Sequence, residues 1–136
     1  ALRPTALERA GRLWIVFGAG GDRDHGKRPV MGKIAEQNAD CAVVTSDNPR
    51  SEDPARIADD ICAGMKTTNP VVILNRRKAI VETFCKAAPQ DIILVAGKGH
   101  EDYQEIAGVK HHFSDAETVR EAANERFVRE NQRKIS

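Results

Sequence analysis

Leu13-Trp14-Ile15-Val16-Phe17 is an unbroken apolar run that ends abruptly in Gly18-Ala19-Gly20-Gly21, and this junction constrains the fold more than any other part of the chain. Five consecutive apolar side chains cannot alternate between core and water, so the segment reads as a strand buried on both faces, as in a parallel sheet covered by helices. The glycines then expose backbone at the strand's carboxyl end. Parallel strands need helical crossovers, and the sequence supplies them in turn. Pro29 suits a first helical position, and Val30 to Gln37 carries Met31, Ile34 and Ala35 at helical spacing before Asn38. Cys41-Ala42-Val43-Val44-Thr45 is a second strand. Pro54 opens a helix with Ala58, Ile61, Cys62 and Met65 on one face. Val71 to Leu74 reads as a third strand, Lys78 to Ala88 as a third helix with Ile80, Val81 and Phe84 inward, and Asp91 to Ala96 as a fourth strand stopped by Gly97-Lys98-Gly99.

The pattern then changes. Asp102 to Ile106 and Val109 to Phe113 flank Ala107-Gly108 as the arms of a hairpin do. Ser114 caps a last helix over Asp115 to Glu130, with Glu117 completing a capping box, and Arg126 to Ser136 is expected to fray. The economical architecture is α/β: a Rossmann-like, doubly wound, mostly parallel sheet with helices on both faces and a C-terminal hairpin. Residues 1–136 fit a single domain.

Composition narrows the function classes. Lys plus Arg number 21 against 20 for Asp plus Glu, which gives no general attraction to nucleic acid or anionic lipid. Four Phe, one Tyr and one Trp offer few base-stacking platforms. No apolar stretch approaches a membrane span and no basic-then-apolar leader is visible, so a cytoplasmic location is expected, with neither nucleic acid nor membrane as partner. Cys41, Cys62 and Cys85 are too far apart for a zinc knuckle and odd in number, so they read as small buried apolar residues; no metal site is expected. Trp14 and Phe17 read as core. His111 and His112 are adjacent on a strand and point to opposite faces, so they cannot chelate one metal together. No serine or cysteine stands where His25 or His100 would activate it.

Ligands of such sheets bind beyond the carboxyl ends of the strands. Three loops lie there: Gly18 to Arg28, Ser46 to Asp53, and Gly97 to Tyr103. The first begins like a dinucleotide fingerprint, but Arg23 stands at its third glycine position. It also matches a phosphate-binding P-loop, Gly21-x-x-x-x-Gly26-Lys27, up to Arg28, where Ser or Thr should ligate magnesium. Asp22 and Asp24 would add repulsion toward phosphate of about 1 kcal/mol or more per close pair. Arg23 instead suits a carboxylate guest, or else a surface ion pair with Asp24. In the second loop, Asp47-Asn48-Pro49-Arg50, Pro49 restricts the backbone and Arg50 can clamp a carboxylate through two parallel hydrogen bonds; the alternative is an ordinary turn with an exposed arginine. In the third, Glu101 can accept from an ammonium group beside the Gly97 carbonyl; the alternative is a solvated glycine-rich turn. Two arginines and one acid describe an amino-acid pocket, and one wide enough in chemistry for a diamino dicarboxylic acid.

The three segments Val16-Phe17-Gly18-x-Gly20-Gly21-Asp22-Arg23-Asp24-x-Gly26-Lys27-Arg28-Pro29, Asp47-Asn48-Pro49-Arg50 and Val95 to Gln104, in this order and spacing, resemble the C-terminal domain of the Mur ligase family, in its MurE branch. The resemblance implies a Rossmann-like domain of a three-domain, cytoplasmic ligase that uses ATP and Mg2+ to activate UDP-N-acetylmuramoyl-L-alanyl-D-glutamate as an acyl phosphate, which the amine of the incoming amino acid attacks. The Asp47-Asn48-Pro49-Arg50 form resembles that of enzymes adding meso-2,6-diaminopimelate, and it implies Arg23, Asn48, Arg50, Gly97 and Glu101 as contacts to that amino acid, with Asp47, Lys27 and Asp22 in support. The N-terminal and central domains are absent from this chain, so the resemblance implies no catalytic residue here, no tightly bound cofactor, weak diaminopimelate binding and no ATP hydrolysis by these residues alone. A stand-alone amino-acid-binding module, a nucleotide-binding domain, and a Mur-family ligase for another amino acid or peptide are the alternatives.

Overall fold

The computed structural model describes residues 4, 8, 10–66, 70–97, 103–107 and 109–135, with side chains through residue 133. Among these, β1 (Leu13–Phe17), β2 (Cys41–Val44), β3 (Val71–Val72) and β4 (Ile92–Val95) form one parallel sheet in the order β3-β2-β1-β4. The helices are α1 (Lys27–Asn38), α2 (Pro54–Cys62), α3 (Arg76–Lys86) and α4 (Asp115–Ile135), and β5 (Tyr103–Ile106) pairs antiparallel with β6 (Val109–His112). The architecture agrees with the sequence reading.

β1 lies inside the sheet, with Val16 paired to Val43 on one side and to Val95 on the other. Its side chains feed both faces, which is why its sequence is apolar throughout. Phe17 packs with Ala35, Val44, Ile57, Ala58 and Ile61 beneath α1 and α2. Val16 packs with Val43, Ala79, Ile80, Val81 and Ala122 beneath α3 and α4. The path from β1 through α1 to β2 leads one way across the sheet, and α3 returns the chain to β4 on the other side of β1. The order reverses between β1 and β4, which opens a crevice at their carboxyl ends.

Several expected boundaries move for identifiable reasons. α1 starts at Lys27, two residues before Pro29, and α3 starts at Arg76 because the Asn75 side chain accepts from the Lys78 N–H. β3 stops at Val72, since past it the Ile73 N–H still bonds Val44 O while the Leu74 carbonyl accepts from Ser46 Oγ at 2.7 Å. α4 does not fray at Arg126 but continues to Ile135, carried by the i,i+4 pairs Arg126–Glu130 and Arg129–Glu125 and by Arg129 reaching Glu82 of α3. The capping box is half formed: Glu117 N–H donates to Ser114 Oγ, but the Glu117 carboxylate turns to His112.

Two expected core placements are corrected, and one apolar helix position proves open. Cys41, Cys62 and Cys85 are free thiols only half buried, with burial still raising each thiol's pKa. Trp14 is half buried because its Nε1–H donates to Asp91 at 2.8 Å. Ile34 is 53% exposed, for among the described residues no helix covers β4 on the α1 face, and Ile34, Met31 and Leu94 line an open apolar groove there.

Candidate functional site

The loop after β1 and the loop after β2 are locked together at the carboxyl end of the sheet. Gly21 N–H donates to the Asn48 carbonyl at 2.7 Å, and a Cβ on Gly21 would sit 1.8 Å from the Pro49 carbonyl oxygen, so only glycine permits this approach. Gly18 is as tight, with the Thr45 carbonyl 2.4 Å from its missing Cβ. Asp22, in the left-handed region at φ 55°, accepts from Ser51 Oγ, and its own N–H donates to Glu52. Asp22 is therefore a tie between loops.

The hairpin then grips the second loop. Gln104 Nε2 donates to the Asp47 carbonyl and Glu105 N–H to Asn48 Oδ1, both at 2.8 Å. Arg50 N–H donates to the Glu105 carbonyl and the Arg50 carbonyl accepts from Ala107 N–H. These last two bonds flank Arg50, which holds φ 53°, a left-handed backbone costing a non-glycine residue about 1–2 kcal/mol. Such strain persists only where the surroundings over-determine it.

Two arginine side chains approach Gly20, Arg50 with its guanidinium and Arg23 with its aliphatic Cγ. A Cβ there would lie 2.8 Å from Arg50 Nη1 and 3.5 Å from Arg23 Cγ. Arg50 Nη1 donates to the Gly21 carbonyl at 3.0 Å, and Arg50 Nε stands 3.9 Å from a Glu105 oxygen, outside hydrogen-bond range. Its Nη2 has no hydrogen-bond acceptor among the described residues. Arg23 is exposed and makes no ion pair among them; Asp24 accepts instead from the Gly26 N–H at 2.9 Å, so the Arg23–Asp24 pair does not form. Lys27 is exposed at the first position of α1.

The third loop reaches the same end of the sheet. Gly97 has φ +118°, and a Cβ on it would lie 3.4 Å from Asp47 Oδ2 and 3.9 Å from the Gly18 carbonyl oxygen. Gly97, Asp47 and Gly18 therefore meet across the crevice between β1 and β4. Lys98 to Asp102, and Glu101 with them, lie outside the described residues. Two grooves of about 430 and 470 Å³ lie at the amino end of the sheet and over β1 and β4, and neither is lined by Arg23 or Arg50. Convergent charge, and not volume, marks the candidate site.

Sequence reasoning passed over two buried arginines that hold these loops. Arg28, 1% exposed, donates to both carboxylate oxygens of Glu52, to Asp60 and to the Gly20 carbonyl. These bonds pull the Glu52 carboxyl down to about 2. Arg76, equally buried, donates to Asp115 and to the carbonyls of Ser46 and Ala96. A signal existed. α1 opens with Lys27-Arg28 and α3 with Arg76-Arg77-Lys78, cations at the end of a helix where the dipole disfavours them, so carboxylate partners were to be sought.

The loop after β1 departs from a phosphate cradle. Its backbone N–H groups at Gly21, Asp22, Gly26 and Arg28 all bond partners within the protein, and Arg28, in the place of the magnesium-binding hydroxyl, is sealed in its ion pair. Among the described residues no helix is long and apolar enough to cross a membrane.

Comparison with known proteins agrees with this geometry. Residues 1–99 match the family described as Mur ligase, glutamate ligase domain. The chain is 54% identical over 130 residues to the UDP-N-acetylmuramoyl-L-alanyl-D-glutamate--2,6-diaminopimelate ligase of Chromobacterium violaceum, covering 88% of this chain and 26% of that protein. It is 56% identical over 117 residues to the Trichormus variabilis protein of the same name, covering 85% and 24%. A solved structure of such a ligase superposes with a TM-score of 0.79 at 48% identity, covering 83% of this chain and 24% of that one. The chain thus spans about a quarter of the length of the curated relatives it matches. Its parallel sheet, its interlocked glycine loops and the match over most of its length place the chain in the Mur ligase family, as a glutamate ligase domain.

Proposed function

We propose that this chain is the C-terminal, amino-acid-binding domain of a cytoplasmic, ATP-dependent ligase that joins meso-2,6-diaminopimelate to UDP-N-acetylmuramoyl-L-alanyl-D-glutamate in peptidoglycan synthesis. The observation that carries the reading is the approach of Arg23 and Arg50 to Gly20, with no acceptor for Arg50 Nη2 among the described residues. A guanidinium at this point, with a second arginine whose side chain starts beside it, suits a carboxylate better than any other group of an amino acid. Relatives 54% and 56% identical to this chain bear the name of the diaminopimelate-adding enzyme.

In this reading Arg50 and Arg23 take the distal carboxylate, while Asn48 and Asp47 fix the second loop beside them. Gly97 and Glu101 receive the amino-acid group at the other end. The domain's work is binding and orientation: it presents the attacking amine to an acyl group activated elsewhere in the enzyme. ATP and magnesium are held by other segments, since the loop after β1 is closed to phosphate. Lysine lacks the distal carboxylate and would leave the Arg50 guanidinium without its partner. A site built around such a group rejects the analogue by about 10⁴-fold.

Calorimetric titration of the full reading frame with meso-2,6-diaminopimelate and with L-lysine tests the reading. Preference for diaminopimelate, lost in Arg50→Ala, is the expected result. A preference untouched by Arg50→Ala refutes it. Tight ATP binding by the 136-residue chain alone would point instead to a nucleotide domain, and micromolar diaminopimelate binding by that chain to a stand-alone module.

A further inference from the structure

The guanidinium of Arg76 sits behind the crevice, fully enclosed, and touches neither of the two arginines at Gly20. Its Nη1 donates to the Ser46 carbonyl at 2.9 Å and its Nη2 to the Ala96 carbonyl at 3.1 Å. Its Nε and Nη2 also donate to the two oxygens of Asp115, at 2.8 and 2.7 Å, and Asp115 opens α4. Ser46 is the residue before Asp47-Asn48-Pro49-Arg50, and Ala96 is the residue before Gly97. One planar group therefore joins the roots of the second and third loops, and Asp115 fixes that group's plane.

From this geometry we infer that Arg76 and Asp115 are positioning residues for amino-acid specificity: they set the distance between Arg50 and Gly97 and so the length of ligand that fits between them. The inference rests on the diaminopimelate reading for the identity of the ligand, but not for the brace itself. Ion pairs buried this deeply are weak contributors to stability, and apolar replacements of similar volume are often neutral or stabilising. What an apolar pair cannot do is hold two carbonyls from different strands at fixed points. A lysine keeps the charge of Arg76 but lacks the planar fork that reaches both carbonyls and the carboxylate together.

The test uses the full-length enzyme carrying Arg76→Lys, Asp115→Asn, or the apolar pair Arg76→Met with Asp115→Leu, beside Arg50→Ala. Steady-state kinetics should give each brace variant a KM for diaminopimelate raised roughly 10- to 100-fold, the order of loss expected from a misplacement of about 1 Å. The KM values for ATP and for the nucleotide-linked acceptor should stay unchanged. Amide hydrogen exchange at Asn48 and Gly97 should quicken in the same variants. If Arg50→Ala raises the diaminopimelate KM and the brace variants do not, the inference is overturned and the functional reading stands. If Arg50→Ala has no effect, the reading fails, and exchange at Asn48 and Gly97 alone decides the brace: unchanged exchange overturns it. Should the single variants fail to fold, the apolar pair decides, and a folded apolar pair with the normal KM overturns the inference.

Discussion

Arg28 and Glu52 meet face to face across two loops, with Nη2 2.8 Å from one carboxylate oxygen and Nη1 2.9 Å from the other. The two-pronged pair is the inner half of a chain that runs outward through the Asp22 N–H and His25 Nε2, both on the first Glu52 oxygen. It closes the loop after β1 onto the loop after β2, and the Arg28 bond to the Gly20 carbonyl fixes the point where Arg23 and Arg50 converge. The residue that breaks the P-loop pattern is thus the one that shapes the end of the sheet where Arg23 and Arg50 meet.

Acid should loosen that closure in a defined window. Glu52 ionises near 2 in the folded protein, against an ordinary 4.5, chiefly through its hydrogen bonds from Arg28. A carboxyl whose folded value is depressed contributes stability that is fully present above 4.5 and is lost as the pH falls through 2. Glu52→Gln removes this contribution, so the variant is less stable at neutral pH and the two proteins converge in acid. Urea denaturation midpoints taken between about pH 5 and pH 2.5 check it. Parallel curves for variant and wild type would show that Glu52 is not held as described.

The sheet was legible because its cause is local. A strand buried on both faces must be apolar throughout, and Leu13–Phe17 announces itself in that way, while Ile92–Val95 is as apolar although Leu94 is 37% exposed. β3 was read too long because Ile73 and Leu74 are as apolar as Val71 and Val72, while the Leu74 carbonyl is taken by Ser46. Arg23, Asn48, Arg50 and Gly97 could be placed at one edge of the sheet from loop position alone. Their support could not. Asp115 lies 39 residues from Arg76 and Glu52 lies 24 from Arg28, so no local pattern pairs them, and the cations at two helix starts were the only trace. The docking of β5 against the second loop was equally hidden, because it runs through backbone groups and the side-chain amides of Asn48 and Gln104.

Gly20→Ala should separate binding from folding. Gly20 does not have a positive φ, so its backbone accepts alanine, but the new Cβ would stand 2.8 Å from Arg50 Nη1. That atom is the end of a flexible side chain and can yield. Stability is expected to change by about 1 kcal/mol or less, because the bond Arg50 Nη1 gives up is offset by alanine's smaller freedom in the unfolded chain. Moving the guanidinium by about 1 Å should nevertheless weaken diaminopimelate binding by about 10- to 100-fold. Denaturation and calorimetry on one preparation check both halves; unchanged affinity would place the ligand away from Gly20.

Arg50→Gly makes the sharper separation. Arg50 holds φ 53°, and glycine adopts that conformation freely, removing a penalty of about 1–2 kcal/mol. Against this stand the greater freedom of glycine in the unfolded chain, about 0.5–1 kcal/mol, and the lost bond from Arg50 Nη1 to the Gly21 carbonyl, about 1 kcal/mol. The opposing effects nearly cancel, and the backbone bonds to Glu105 and Ala107 remain. The variant should therefore unfold within about 1 kcal/mol of wild type while discrimination between diaminopimelate and lysine disappears. Arg50→Lys should be the less stable of the two, because it keeps the strained backbone and loses the planar fork. Urea unfolding of the three proteins and paired titrations with the two amino acids check the argument. An Arg50→Gly protein that still discriminates would remove Arg50 from the site.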